Sequence, residues 1–200
     1  MPRRYSIADY LRIESDSAER HEYWDGQIVA MAGGTYGHSL IISNLIGEIR
    51  NALKGKPCRV LESSMRIRIP GRTRYFYPDS TIVCGKPEFD PEDPKQHSII
   101  NPRVVIEVLS PTTEGFDRGE KFSFNRAIES MQEYVLVSSE TASIETFYRQ
   151  SDGTWLFSAF SGDQAIAKLR AVEIDLPLAE VYTGVEFPPP KPEDAELQPK

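Results

Sequence analysis

The sequence has no apolar run approaching the roughly 18 residues that a membrane-crossing helix needs. Its opening, Met1-Pro-Arg-Arg-Tyr-Ser-Ile-Ala-Asp-Tyr10, has neither an apolar stretch nor a small-residue cleavage site, so no secretion signal is expected. Cysteine is scarce. Cys58 and Cys84 stand in no metal or redox spacing, and both read as reduced structural thiols of a cytoplasmic protein. No internal repeat is present. There is no Gly-x-Ser-x-Gly turn, and Ser110 is followed by Pro111, so a hydrolase built on a Ser and His pair fits poorly. A surplus of positive charge is also missing: the formal net charge is −7, which argues against a protein that simply coats nucleic acid.

What remains is ordinary for a globular chain. The 200 residues are 40% hydrophobic and 26% charged, which suits one domain with a sizeable core. That domain is expected over residues 1–187. From Pro188 onward five of thirteen residues are proline and none is a large aromatic, so 188–200 reads as an acidic, Pro-rich disordered tail.

The clearest element is a helix over about Gly37 to Lys54, where Ile41, Ile42, Leu45, Ile46, Ile49 and Leu53 recur at three- and four-residue steps. Gly55 and Pro57 end it. Ser6 caps a short helix to Leu11, followed by a polar stretch to Glu22. Asp25-Gly26 is a turn before a strand from Gln27 to Met31. Strands are expected at Arg59 to Glu62, Met65 to Ile69 and Asp79 to Cys84, and a long Pro-rich loop over 85–102. Arg103 to Leu109 has almost no polar break and reads as a strand buried on both faces. A second helix over Gly115 to Met131, a buried strand at Tyr134 to Val137, a meander over Ser143 to Tyr148 and Thr154 to Phe160, and a short helix over Leu176 to Tyr182 complete the pattern. The order implies an α/β domain: a mixed sheet flanked by helices, with a C-terminal β-meander.

Two carboxylates do not suit their places. Glu107 stands in Val104-Val105-Ile106-Glu107-Val108-Leu109, where a buried charge costs several kcal/mol unless it is protonated, paired or bound to a metal. Asp79 opens its strand directly after Tyr77-Pro78. If the two strands are neighbours the carboxylates converge, and a hard divalent ion such as Mg²⁺ relieves their repulsion. A buried Arg pair or a protonated Glu107 is the other way to satisfy the site. Lys121 shares a helix face with Phe124 and Ile128, which turns it toward the core, where it can stabilise charge on a phosphate. It equally forms an i, i+4 surface pair with Asp117. His38 is in register with Ile41, Ile42 and Leu45, either as a site residue or as a hydrogen-bonded core histidine. From Arg50 to Arg74 eight basic residues face Glu62 alone, as a phosphate-binding strip or as the solvated outer side of a hairpin.

Four segments together resemble the putative restriction endonuclease family, a branch of the PD-(D/E)XK nucleases. They are Glu22-Tyr-Trp-Asp-Gly26 with Met31 and His38, Tyr77-Pro-Asp79, Val105-Ile-Glu-Val-Leu-Ser-Pro-Thr-Thr113 with Asp117 and Lys121, and Glu133-Tyr-Val-Leu-Val137. The resemblance runs from about Tyr5 to Tyr182. It implies a restriction-endonuclease-like core, often in a homodimer, with Asp79, Glu107 and the Val108 carbonyl as metal ligands. It makes Lys121 the catalytic lysine moved onto the following helix, since Leu109 occupies the superfamily's usual lysine position, and places Glu22 and His38 on the remaining motif positions. The implied activity is Mg²⁺- or Mn²⁺-dependent hydrolysis of phosphodiester bonds, with DNA favoured. The alternative is a catalytically inactive nuclease fold that binds DNA or a protein partner.

Overall fold

The computed structural model describes residues 3–31 and 33–189, so the tail expected over 188–200 lies almost wholly outside the described residues. No described helix is long and apolar enough to cross a membrane. Helix α1 (Ile7–Asp16) starts at Ser6, whose side chain accepts the Asp9 N–H while Asp9 returns to the Ser6 backbone, a reciprocal cap. The helix runs a turn beyond the expected Leu11. The following stretch, expected to be irregular, already contains strand β1 (His21–Trp24), joined to β2 (Gln27–Ala30) by Asp25-Gly26 with φ of 46° and 98°. Positive φ at both turn positions is what a tight two-residue hairpin demands.

Two larger sheets form. One has five strands in the order β2-β1-β5-β4-β7, with β4 (Arg66–Arg68), β5 (Arg74–Phe76) and β7 (Ser98–Ile99). The other has six in the order β11-β10-β9-β8-β6-β3. Its members are β3 (Cys58–Glu62), β6 (Ser80–Cys84), β8 (Val104–Leu109), β9 (Glu133–Ser138), β10 (Ser143–Arg149) and β11 (Trp155–Ser161). Within it β8 and β9 are parallel and the other pairs antiparallel. The sheet is mixed, and β9 to β11 form the expected meander.

All six residues of β8 are buried because both faces are covered. On one face helix α2 (Tyr36–Ala52) lays Ile41, Leu45 and Ile49 over Ile82, Val104, Ile106 and Val108. On the other, Val83, Val105 and Leu109 meet Ile67, Phe76 and Ile99 of the five-stranded sheet. The site therefore sits where the two sheets and α2 come together.

Several expectations are corrected. The span 85–102 is not all loop: β7 pairs in parallel with β4. Residues 174–177 form strand β13 (Ile174–Pro177) against β12 (Ile166–Leu169), so the last helix is only α5 (Leu178–Val181). The second long helix ends at Asn125 and is composite: α3 (Glu114–Phe116), a π-helical turn (Asp117–Lys121) and α4 (Phe122–Asn125). Cys58 and Cys84, expected as free thiols, lie directly opposite in the β3–β6 register with Cα atoms 3.9 Å apart and are joined as a disulfide. Spacing along the chain carried no information on that pairing; strand register decided it.

Candidate active site

Strand β6 runs antiparallel to β8 with Ser80 opposite Ile106, so one residue further along the ladder Asp79 falls opposite Glu107. Alternation along each strand puts both on the face shared by Val83, Val105 and Leu109. Asp79 Oδ2 accepts the Val108 N–H at 2.7 Å, which fixes its carboxylate at the end of the strand. From the opposite face α2 delivers His38, whose Nε2 lies 3.1 Å from the Val108 carbonyl oxygen and 3.5 Å from Asp79 Oδ2. Thr35 caps α2 by accepting the His38 N–H, which sets the first turn. Gly34 closes over the imidazole: a Cβ there would lie 2.7 Å from His38 Nδ1, so any side chain at 34 would push the imidazole aside. The Asp79 hydrogen bond raises the His38 pKa above its ordinary value despite partial burial.

Lys121 enters from the π-helical turn. Its Nζ is 2.9 Å from Glu107 Oε1, 3.5 Å from Asp117 Oδ1 and 4.0 Å from Glu22 Oε1. The wider π turn buries Asp117 and Lys121 together. Neighbouring side chains hold that turn: Asn125 donates to the Lys121 carbonyl at 2.9 Å and Tyr134 to that of Asp117 at 3.0 Å. Glu22 arrives from β1 in the other sheet. Its two oxygens accept the Tyr77 N–H at 3.3 Å and the Trp24 indole N–H at 3.1 Å.

The electrostatics follow from the count. Four carboxylates (Glu22, Asp79, Glu107 and Asp117) surround one lysine and one histidine. Burial pushes the Glu107 pKa well above the carboxylate range; Lys121 opposes this, and Asp117 and Asp79 reinforce it. Glu22 is also raised, chiefly by burial. Burial alone would lower Lys121, but Glu107, Glu22 and Asp117 outweigh it and hold the ammonium charged. The cluster is short of positive charge. Although Lys121 Nζ is within ion-pair distance, Glu107 Oε1 is buried without an aligned hydrogen bond. Among the described residues no three His, Cys, Asp or Glu side chains form a ready metal cage. The donors that could hold a hard cation are the two carboxylates Asp79 and Glu107 and the Val108 carbonyl.

Asp79, Glu107, Val108, Lys121, His38 and Glu22 are thus brought to one place. The Asp117–Lys121 pair exists but is buried, so the surface alternative does not describe it. Asp117, Trp24 and Tyr77 stand in the motif segments read from sequence, but Asp117 as a member of the cluster and Trp24, Tyr77 and Asn125 as its supports were not assigned those roles there. Their signal was weak, because Tyr77 acts through its backbone N–H, Asp117 and Asn125 through a π turn, and Trp24 through an indole N–H aimed at Glu22, none of which residue spacing encodes. The basic strip is largely consumed internally. Arg66, expected on an exposed side, is buried and paired with Asp93 at 2.8 Å. Arg68 pairs with Asp90 and Glu92, and Arg74 with Asp25.

This fold is shared with a crystal structure described as a putative nuclease belonging to DUF820 from Anabaena variabilis. The TM-score is 0.72 over 91% of this chain and 99% of that one, at 15% identity. The chain belongs to the putative restriction endonuclease family, Uma2, whose model matches residues 7–179. Two Synechocystis relatives are similar over nearly their whole lengths. The uncharacterized protein slr1290 is 35% identical over 185 residues, 92% of this chain and 94% of that one. The uncharacterized protein sll1609 is 32% identical over 169 residues, 84% and 94% respectively.

Proposed function

We propose that the protein is a Mg²⁺-dependent endonuclease, also served by Mn²⁺, that hydrolyses phosphodiester bonds in DNA. The observation that carries the reading is the convergence of half-buried Asp79 with buried Glu107, whose Oε1 has only the Lys121 ammonium beside it and no aligned hydrogen bond. Asp79, Glu107 and the Val108 carbonyl would hold the ion. When bound, it supplies an activated water and neutralises charge on the scissile phosphate. The Asp79 carboxylate is fixed through Oδ2 by the Val108 N–H, and its Oδ1 would serve as a donor to the ion. His38 fixes the neighbouring Val108 carbonyl, and Lys121 offers its ammonium to charge developing on the phosphate. Glu22, anchored by Tyr77 and Trp24, positions Lys121 from the opposite sheet. DNA as substrate and a homodimeric assembly rest on membership of the family.

The test is cleavage of plasmid DNA by Asp79→Asn and Glu107→Gln. Both are expected to lose metal-dependent cleavage while still binding DNA, and unchanged cleavage in both ends the proposal. The 2.9 Å Lys121–Glu107 pair favours a second reading, in which the lysine closes the site and the fold serves as a non-catalytic DNA- or protein-binding module. Thermal melts with and without millimolar Mg²⁺ or Mn²⁺ separate the two. A ligand that binds only the folded form raises the melting temperature, by about 2.7 kcal/mol of stability at a hundredfold excess over Kd.

A further inference from the structure

Strand β11 ends the six-stranded sheet, and on its outer side no described residue pairs with it. The Gln150 N–H donates to the Thr154 carbonyl at 2.8 Å and the Gly162 N–H to that of Ala142 at 2.9 Å. In the β10–β11 register these fix the even-numbered residues of β11 as the ones bonded to β10. Trp155, Phe157, Ala159 and Ser161 therefore turn their backbone N–H and C=O groups outward, with no partner among the described residues.

Proteins guard such edges, because a free strand is a template for another chain. The other edges among the described residues are guarded. At the far side of the same sheet, β3 carries Arg59 and Glu62. The edges of the five-stranded sheet, β2 and β7, are four and two residues long. Strands β12 and β13 have four residues each and carry Lys168 and Asp175. By contrast β11 has seven residues, Trp155-Leu-Phe-Ser-Ala-Phe-Ser161, with no charge and no proline. Leu156 and Phe157 are exposed on it, and so is Ile166 at the start of the adjacent β12.

We infer that β11 pairs antiparallel with β11 of a second copy of this chain, about a two-fold axis at Ser158, which joins the two six-stranded sheets into one. The strand is complementary to itself. Under this symmetry Phe157 stands opposite Ala159 of the second copy and Trp155 opposite its Ser161, large against small. These are the outward-facing residues, so each pair exchanges two N–H···O=C bonds. No charge meets a like charge along the seam. The inference rests on the homodimeric assembly proposed above and gives it a surface; neither metal nor nucleic acid takes part.

Sedimentation equilibrium of the full chain is expected to give twice its 22.6 kDa. Ala159→Pro removes an outward N–H, so β11 keeps its bonds to β10 while the seam is blocked, and single-chain mass is expected. Phe157→Lys, which sets charge into the seam, should do the same. Ser158→Cys tests the register. Its Cα would lie about 4.5 Å from its counterpart across a non-hydrogen-bonded pair, within disulfide reach, so mild oxidation should link the copies covalently. A dimer that survives both Ala159→Pro and Phe157→Lys, or Ser158→Cys that does not cross-link, overturns the seam. Single-chain mass for the unaltered protein overturns the assembly with it. No readout involves DNA cleavage, so either failure leaves the nuclease reading to its own test.

Discussion

Two glutamates are buried on the neighbouring parallel strands β8 and β9, and they are buried for opposite reasons. Glu133 begins β9, and its two oxygens accept the Arg170 and Ala171 N–H groups at 3.1 and 2.9 Å. It ties the β12–β13 turn to the central sheet, and the charge that acts on it is the opposite one of Arg170. Glu107 lies near the far end of β8, opposite Leu136 in the register, with no aligned hydrogen bond and with Asp79, Asp117, Glu22 and Lys121 around it. Burial of an acid is therefore not what marks a site. A structural glutamate has its acceptors filled by the backbone. A glutamate available for chemistry has its charge left partly unanswered.

The comparison breaks most sharply in activity. Glu107→Gln is expected to lower DNA cleavage by more than roughly 100-fold, the loss seen when even an outer partner of a metal site is removed. Glu133→Gln should leave the cleavage rate unchanged; a shared loss in both variants would erase the distinction. Next in size, Lys121→Met strips the only lysine from the cluster and should cost about 3–5 kcal/mol in urea unfolding. Adding Glu107→Gln to it should recover much of that loss, and additive losses would mean the two do not form a pair.

Glu133 sets the third effect. Burial pushes its pKa from 4.5 up to about 7 against the two N–H bonds that favour its charge. The folded state therefore holds a proton that the unfolded chain has released. This contribution is complete below pH 4.5 and is lost as pH rises to 7, on the order of 3 kcal/mol. Stability measured across that window should fall with rising pH, and Glu133→Gln should flatten the profile. The smallest effect is Gly34→Ala, which pushes His38 off the Val108 carbonyl and should lower cleavage about tenfold with little change in unfolding. Equal losses of activity and stability would make His38 a packing residue.

Much of this was legible in the chain. The stripe of α2 and the unbroken apolar run of β8 encode burial on one side and on two, because side-chain period is a local property. Two carboxylates out of place in that pattern pointed to Asp79 and Glu107, and the inward register of His38 and Lys121 held. Other features were hidden. Strands β5 and β7 are short and are held by β1 and β4, partners distant in sequence, while β12 is a short strand in a local hairpin with β13. The π turn arises inside a pattern that reads as a plain helix. The arginines of β4 looked outward by alternation, yet Arg66 is covered by α1 and the 92–97 segment, which bring Asp93 to it.

By itself the sequence determined which residues could not rest comfortably in a core, and hence where chemistry was to be sought. Only the tertiary structure decided which of those were answered. Register placed Asp79 against Glu107 and Cys58 against Cys84, while packing filled the acceptors of Glu133 and the charge of Arg66. A residue's cost of burial is set by its own chemistry; its compensation is set by neighbours that the linear chain does not adjoin.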